Sequence, residues 1–116
     1  MKRYEMIKKS EDFNKIIEKG KCITNNFFRI FYLEKEEYIP KFGLAIGKKL
    51  GNAVTRNYIK RQLRMIVTNN KFLFKNNISY IIMVKKAYLN ASYNELEKEL
   101  KKLIEKVNRW QKKWKL

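Results

Sequence analysis

The run Ile78-Ser79-Tyr80-Ile81-Ile82-Met83-Val84, continuing to Lys85, constrains this chain more than any other feature. It is far too short to span a bilayer. It is nearly continuous in apolar character, without the strict alternation of a half-exposed strand, so it reads as the central strand of a sheet. A buried strand needs helices to cover it, and the flanking sequence supplies them. Leu96, Leu100, Leu103, Ile104, Val107 and Trp110 mark a long amphipathic helix, and Ser92-Tyr93-Asn94-Glu95 before it matches a capping box. Upstream, Ile59, Leu63, Ile66 and Val67 repeat at helical spacing, which predicts a helix running to about Asn69. Gly51-Asn52 is the turn before it, with Asn52 as its cap.

A third helix is predicted near the start of the chain. Ser10 can cap it, Glu11 and Asp12 suit its first turn, Phe13, Ile16 and Ile17 form its apolar face, and Gly20 ends it. Two more strands follow. Asn26 to Leu33 alternates, with Phe27, Arg29, Phe31 and Leu33 on one face and Phe28, Ile30 and Tyr32 on the other. Glu34 to Pro40 is a polar turn and Phe42 to Lys48 the next strand; so short a connection predicts an antiparallel hairpin. The order is α-β-β-α-β-α. With 116 residues and no repeat, linker or low-complexity block, the expectation is one α+β domain over residues 1–116, a two-layer sandwich of helices on a small sheet.

Charge gives the first indication of function. The chain holds 28 Lys and Arg against 11 Asp and Glu, a formal net charge of +17. No acid lies between Tyr38 and Asn94, a stretch with 11 basic residues. A folded domain that tolerates such self-repulsion has an anionic partner, nucleic acid before a membrane surface. Lys outnumbers Arg 22 to 6, yet Arg56, Arg61 and Arg64 fall within nine residues. That clustering matters because Arg adds bidentate phosphate contacts and stacking on bases.

Composition also excludes chemistry. There is no His, which removes the commonest general base, the Ser-His and Cys-His pairs and most zinc sites. The lone Cys22 fits a reducing cytoplasm. Met1 to Ser10 is charged and no apolar stretch follows it, so no signal peptide is read there. Glu34, Glu36 and Glu37 sit together in the polar turn, where solubility explains them better than metal binding. Trp110 and Trp114 invite an interfacial membrane reading, but Glu95, Glu97, Glu99 and Glu105 on that helix favour a packed surface helix. No metal or catalytic side chains are expected on the protein.

The expected binding site is the block from Lys48 to Arg64. It joins a strand end, a glycine turn and a helix start, and a helix N-terminus already offers unpaired N–H groups to anions. On a helical wheel Lys60, Arg64, Asn57 and Arg61 span about 100° beside the apolar stripe, with Arg56 at its border. Phe13 and the Phe27, Arg29, Phe31 strand face form a second candidate, since aromatics in a basic groove hold single strands. The same spacing is also what ordinary core packing produces.

These blocks give the chain a family resemblance. Lys-Lys-Ser-Glu-Asp-Phe (8–13), Phe-Gly-Leu-Ala-Ile-Gly-Lys-Lys-Leu-Gly-Asn-Ala-Val (42–54) and Arg-Asn-x-Ile-Lys-Arg (56–61) resemble the bacterial ribonuclease P protein subunit over nearly the whole length. The resemblance implies a sandwich shared with a ribosomal protein domain, a small mixed sheet and a left-handed β-α-β crossover, against the usual hand. It implies a catalytic RNA as partner and precursor tRNA as substrate, with the 5′ leader removed by Mg2+-dependent hydrolysis on the RNA. The RNA-facing signature then falls on Lys48, Lys49, Asn52, Arg56, Asn57, Lys60, Arg61 and Arg64. A leader cleft falls on Phe13 and Phe31, with Ile17 where an aromatic is common. Tyr58 stands where a basic residue is frequent, Gly47 where Ser is frequent, and Lys85-Lys86-Ala87 lacks the usual Arg and Pro. A ribosomal or general RNA-binding protein without a processing role shares the same charge logic.

Overall fold

The computed structural model describes residue 7 and residues 10–34, 41–75 and 77–114. Helix α1 spans Ser10–Lys19, strands β1 Lys21–Thr24, β2 Phe28–Glu34 and β3 Lys41–Ala45, helix α2 Ala53–Asn69, strand β4 Ile78–Val84 and helix α3 Tyr93–Trp114. Short 3-10 turns at Lys48–Leu50, Lys71–Leu73 and Lys86–Asn90 join them.

The strands form one mixed sheet in the order β1-β2-β4-β3. β4 is central, as its apolar run requires: Ile78, Tyr80, Ile81 and Ile82 are at most 1 % exposed. It pairs antiparallel with β2 and parallel with β3. This corrects the expected hairpin, since β2 and β3 are not neighbours. β4 demands hydrogen-bonded partners on both edges, so it inserts between them. Crossing one strand means covering only about 10 Å, within reach of the six residues 35–40. β3, α2 and β4 therefore make the parallel β-α-β crossover that the resemblance anticipates. Two further differences are local. β1 was not expected; its four residues are too few for a periodic signal, yet they pair fully with Arg29–Tyr32. β3 ends at Ala45, and Lys48 belongs to the turn beyond it.

The two faces of the sheet are covered unequally. Phe28, Ile30 and Tyr32 of β2, Phe42 of β3 and Tyr80 and Ile82 of β4 pack against Ile59, Leu63, Ile66 and Val67 of α2 and Leu96, Leu100, Leu103, Ile104 and Val107 of α3. Phe74 stands edge-on to both Phe42 and Tyr80, with ring centroids 4.9 Å apart in each pair. Tyr80 Oη accepts the Lys75 N–H at 2.9 Å. Burial pushes the Tyr80 hydroxyl up to about 12, against the lowering effect of that bond. Among the described residues the opposite face carries only helix α1, lying over β2 and β4.

Candidate nucleic-acid interface

The basic site starts at the end of β3. Leu50 is buried and anchors the Lys48–Leu50 turn, leaving Lys48 and Lys49 exposed. Gly51 follows with φ +138°, a conformation L side chains rarely adopt, and an added Cβ would meet Thr55 at 3.0 Å. Asn52 then caps α2, its Oδ1 accepting the Thr55 N–H at 2.9 Å. The cap is neutral and the first turn of α2 holds no acid. The first turn thus offers no carboxylate of its own to the positive end of the helix dipole, which follows two lysines.

Along α2, Asn57, Lys60, Arg61 and Arg64 are exposed while Ile59, Leu63, Ile66 and Val67 are buried. The apolar stripe fixes the helix, and the fixed helix holds the cations in one orientation. Arg56 is half-buried at the border, its Nε enclosed and without a hydrogen-bond partner. Arg56, Asn57 and Lys60 come together on an open concavity whose other wall is Leu44 and Ile46. These two apolar residues escaped sequence reasoning. Their alternation with Phe42 reads as core, and only the edge position of β3 brings them to the surface. Exposed Lys86 is a further addition, because the Lys86–Asn90 turn packs on the Lys48–Leu50 turn. Lys85 is instead a structural strut, its Nζ donating to the Asn25 carbonyl at 2.7 Å.

The aromatic candidates lie on the face covered by α1. Cys22, Phe31, Ile81 and Gly43 form one cross-strand row there. Phe13 rests over Gly43, where an added Cβ would come within 2.7 Å of its Cε2. Phe13 and Phe31 are half-buried, and Ile17, one turn beyond Phe13, is 37 % exposed. Arg29 stands exposed in the next row, between Thr24 and Met83. All three expected cleft residues therefore share one half-open surface. Phe27, grouped with them by alternation, precedes β2 and packs partly against the core.

Among the described residues no group of His, Cys, Asp and Glu is placed to hold a metal ion. Glu36 and Glu37 lie outside the described residues; Glu34 accepts the Asn77 side-chain amide at 3.2 Å. No helix among the described residues is long and apolar enough to cross a membrane.

A mixed sheet with a parallel crossover and a cationic helix leading from it defines an α+β protein with a strongly basic surface. Comparison with known proteins sharpens this. The family model Ribonuclease P matches residues 1–108. The ribonuclease P protein component of Mycoplasma capricolum is 43% identical over 108 residues, covering 92% of this chain and 99% of that one. That of Bacillus cereus is 39% identical over 102 residues, covering 86% and 88%. A solved structure of a Staphylococcus aureus RNase P protein mutant, described as defective in mRNA degradation activity, superposes with a TM-score of 0.84 at 26% identity, covering 91% of this chain and 90% of that one. The Thermotoga maritima RNase P protein gives 0.80 at 22% identity, covering 88% and 96%, a likeness of fold. The chain belongs to the ribonuclease P protein family.

Proposed function

We propose that this chain is the RNA-binding subunit of a ribonuclease P holoenzyme that removes the 5′ leader of precursor tRNA. Lys48, Lys49, Asn52, Arg56, Asn57, Lys60, Arg61 and Arg64 engage phosphates of the RNA partners. Phe13, Ile17 and Phe31 hold the single-stranded leader, whose unpaired bases have free faces for stacking. The observation that carries this reading is the acid-free N-terminus of α2, set behind exposed Lys48 and Lys49 on a helix fixed by its buried stripe. Hydrolysis belongs to the catalytic RNA and its Mg2+ ions. The protein's part is to neutralise phosphates, seat the leader and so favour the productive complex.

Reconstitution tests this. Mixed with a bacterial ribonuclease P RNA at low Mg2+, the protein restores cleavage of precursor tRNA at the mature 5′ end. Absence of rescue, with RNA binding intact, would make it a general RNA-binding protein.

A further inference from the structure

At the opposite end of the sheet from the basic turn, the Lys71–Leu73 turn holds Phe72 79 % exposed, the most exposed large hydrophobic residue described. The turn itself is firmly held. Phe74 is buried edge-on between Phe42 and Tyr80, the Lys75 N–H is fixed by Tyr80 Oη, and the Leu73 carbonyl accepts the Asn108 side-chain amide at 2.9 Å. On its other side Asn70 is held too, its side-chain amide donating to the Ile66 carbonyl at 2.8 Å, and Phe72 between these anchors faces outward. It borders an open groove also lined by Lys71, Lys75, Asn77 and Asn108. Among the described residues no carboxylate lines the groove, although Glu34 at its edge accepts the Asn77 amide. In its wall the side-chain oxygen of Asn108 is buried without a hydrogen-bond partner.

We propose that Phe72 is a second RNA contact, a platform on which an unpaired base stacks while Lys71 and Lys75 face the adjoining phosphates. A solvent-facing ring on a held turn, flanked by cations, fits a nucleotide, whose base presents a flat face and whose phosphate is anionic. A second copy of this chain fits poorly, since each copy carries +17. A duplex fits poorly too, its base faces being already stacked. β4 separates this groove from the α2 N-terminus by roughly 23 Å, so one RNA reaching both must run along the molecule. The inference rests on RNA being the partner of this chain.

The test uses the full chain and a fluorescent single-stranded RNA of about 12 nucleotides carrying 5-iodouridine, with the same strand annealed to its complement as control. Phe72→Ala weakens single-strand binding about 5-fold or more, the loss of one base stack. Phe72→Tyr restores it, duplex binding is unchanged, and photocrosslinks map to the peptide containing residues 71–75. Because Phe72 is exposed, both variants keep the wild-type melting temperature. Equal affinity for Phe72→Ala and wild type, while Arg64→Ala weakens binding, would overturn the groove and leave the α2 interface standing. A wild-type protein that binds neither RNA would overturn both. Loss of a dimer in sedimentation on Phe72→Ala, with RNA affinity intact, would assign the ring to self-association and overturn the proposal.

Discussion

The two faces of β2 are built from alternate residues of the same seven-residue strand, yet they serve opposite ends. Phe28, Ile30 and Tyr32 point into the α2–α3 core and are at most 1 % exposed. Phe31 and Arg29 point the other way, toward the face of the ten-residue helix α1, and are partly and fully open. The inner face stabilises the fold and the outer face is left with surface to offer a ligand. A slip of one residue in register would exchange the two roles. The difference lies in how much helix each face receives, rather than in composition.

That contrast can be broken by substitution. The largest effect belongs to the inner face: Tyr80→Ala removes a ring packed with Phe42 and Phe74 and costs about 3–5 kcal/mol, read as a fall in denaturation midpoint. Gly43→Ala sharpens the comparison from the other side. The new methyl would collide with Phe13, so we expect a loss of about 1–3 kcal/mol from overpacking together with a displaced α1 and weaker leader binding. Phe31→Ala should cost little stability for a half-buried residue but weaken binding of leader-bearing RNA by about 5-fold or more; calorimetry and anisotropy separate the two. Arg64→Ala should leave the melting temperature unchanged and flatten the slope of log affinity against log salt, about −3 for four neutralised phosphates, by about 0.7. The smallest effect is that of pH. With no histidine to change charge, RNA affinity should be level between pH 6 and 8, and a titration across that range checks it.

The long elements were legible in the sequence because each has a period. α2 ends at Asn69 as its stripe predicts, Asn52 caps it, and Ser92 Oγ accepts the Glu95 N–H at 3.2 Å, half of the expected capping box. What the sequence could not show is adjacency. Nothing in residues 34–40 says whether the next strand pairs beside β2 or beyond β4; that is decided by the demand of Ile78–Val84 for neighbours on both sides. The site divides in the same way. Lys60, Arg61 and Arg64 were readable as one helical face, whereas Leu44, Ile46 and Lys86 come beside the candidate interface only through the edge position of β3 and the packing of two short turns. Phe72 was invisible because it neighbours Leu73 and Phe74 in an apolar cluster; its exposure follows from Phe74 taking the buried place.

On the proposed function, the inner face builds the molecule while the outer face and α2 bind RNA. The most direct measurement compares the affinities of precursor and mature tRNA for the protein assembled with a ribonuclease P RNA. Tighter binding of the precursor, lost in Phe31→Ala and retained in an inner-face variant such as Ile82→Val, is the predicted result. Equal affinities of the wild-type assembly for the two RNAs would contradict it.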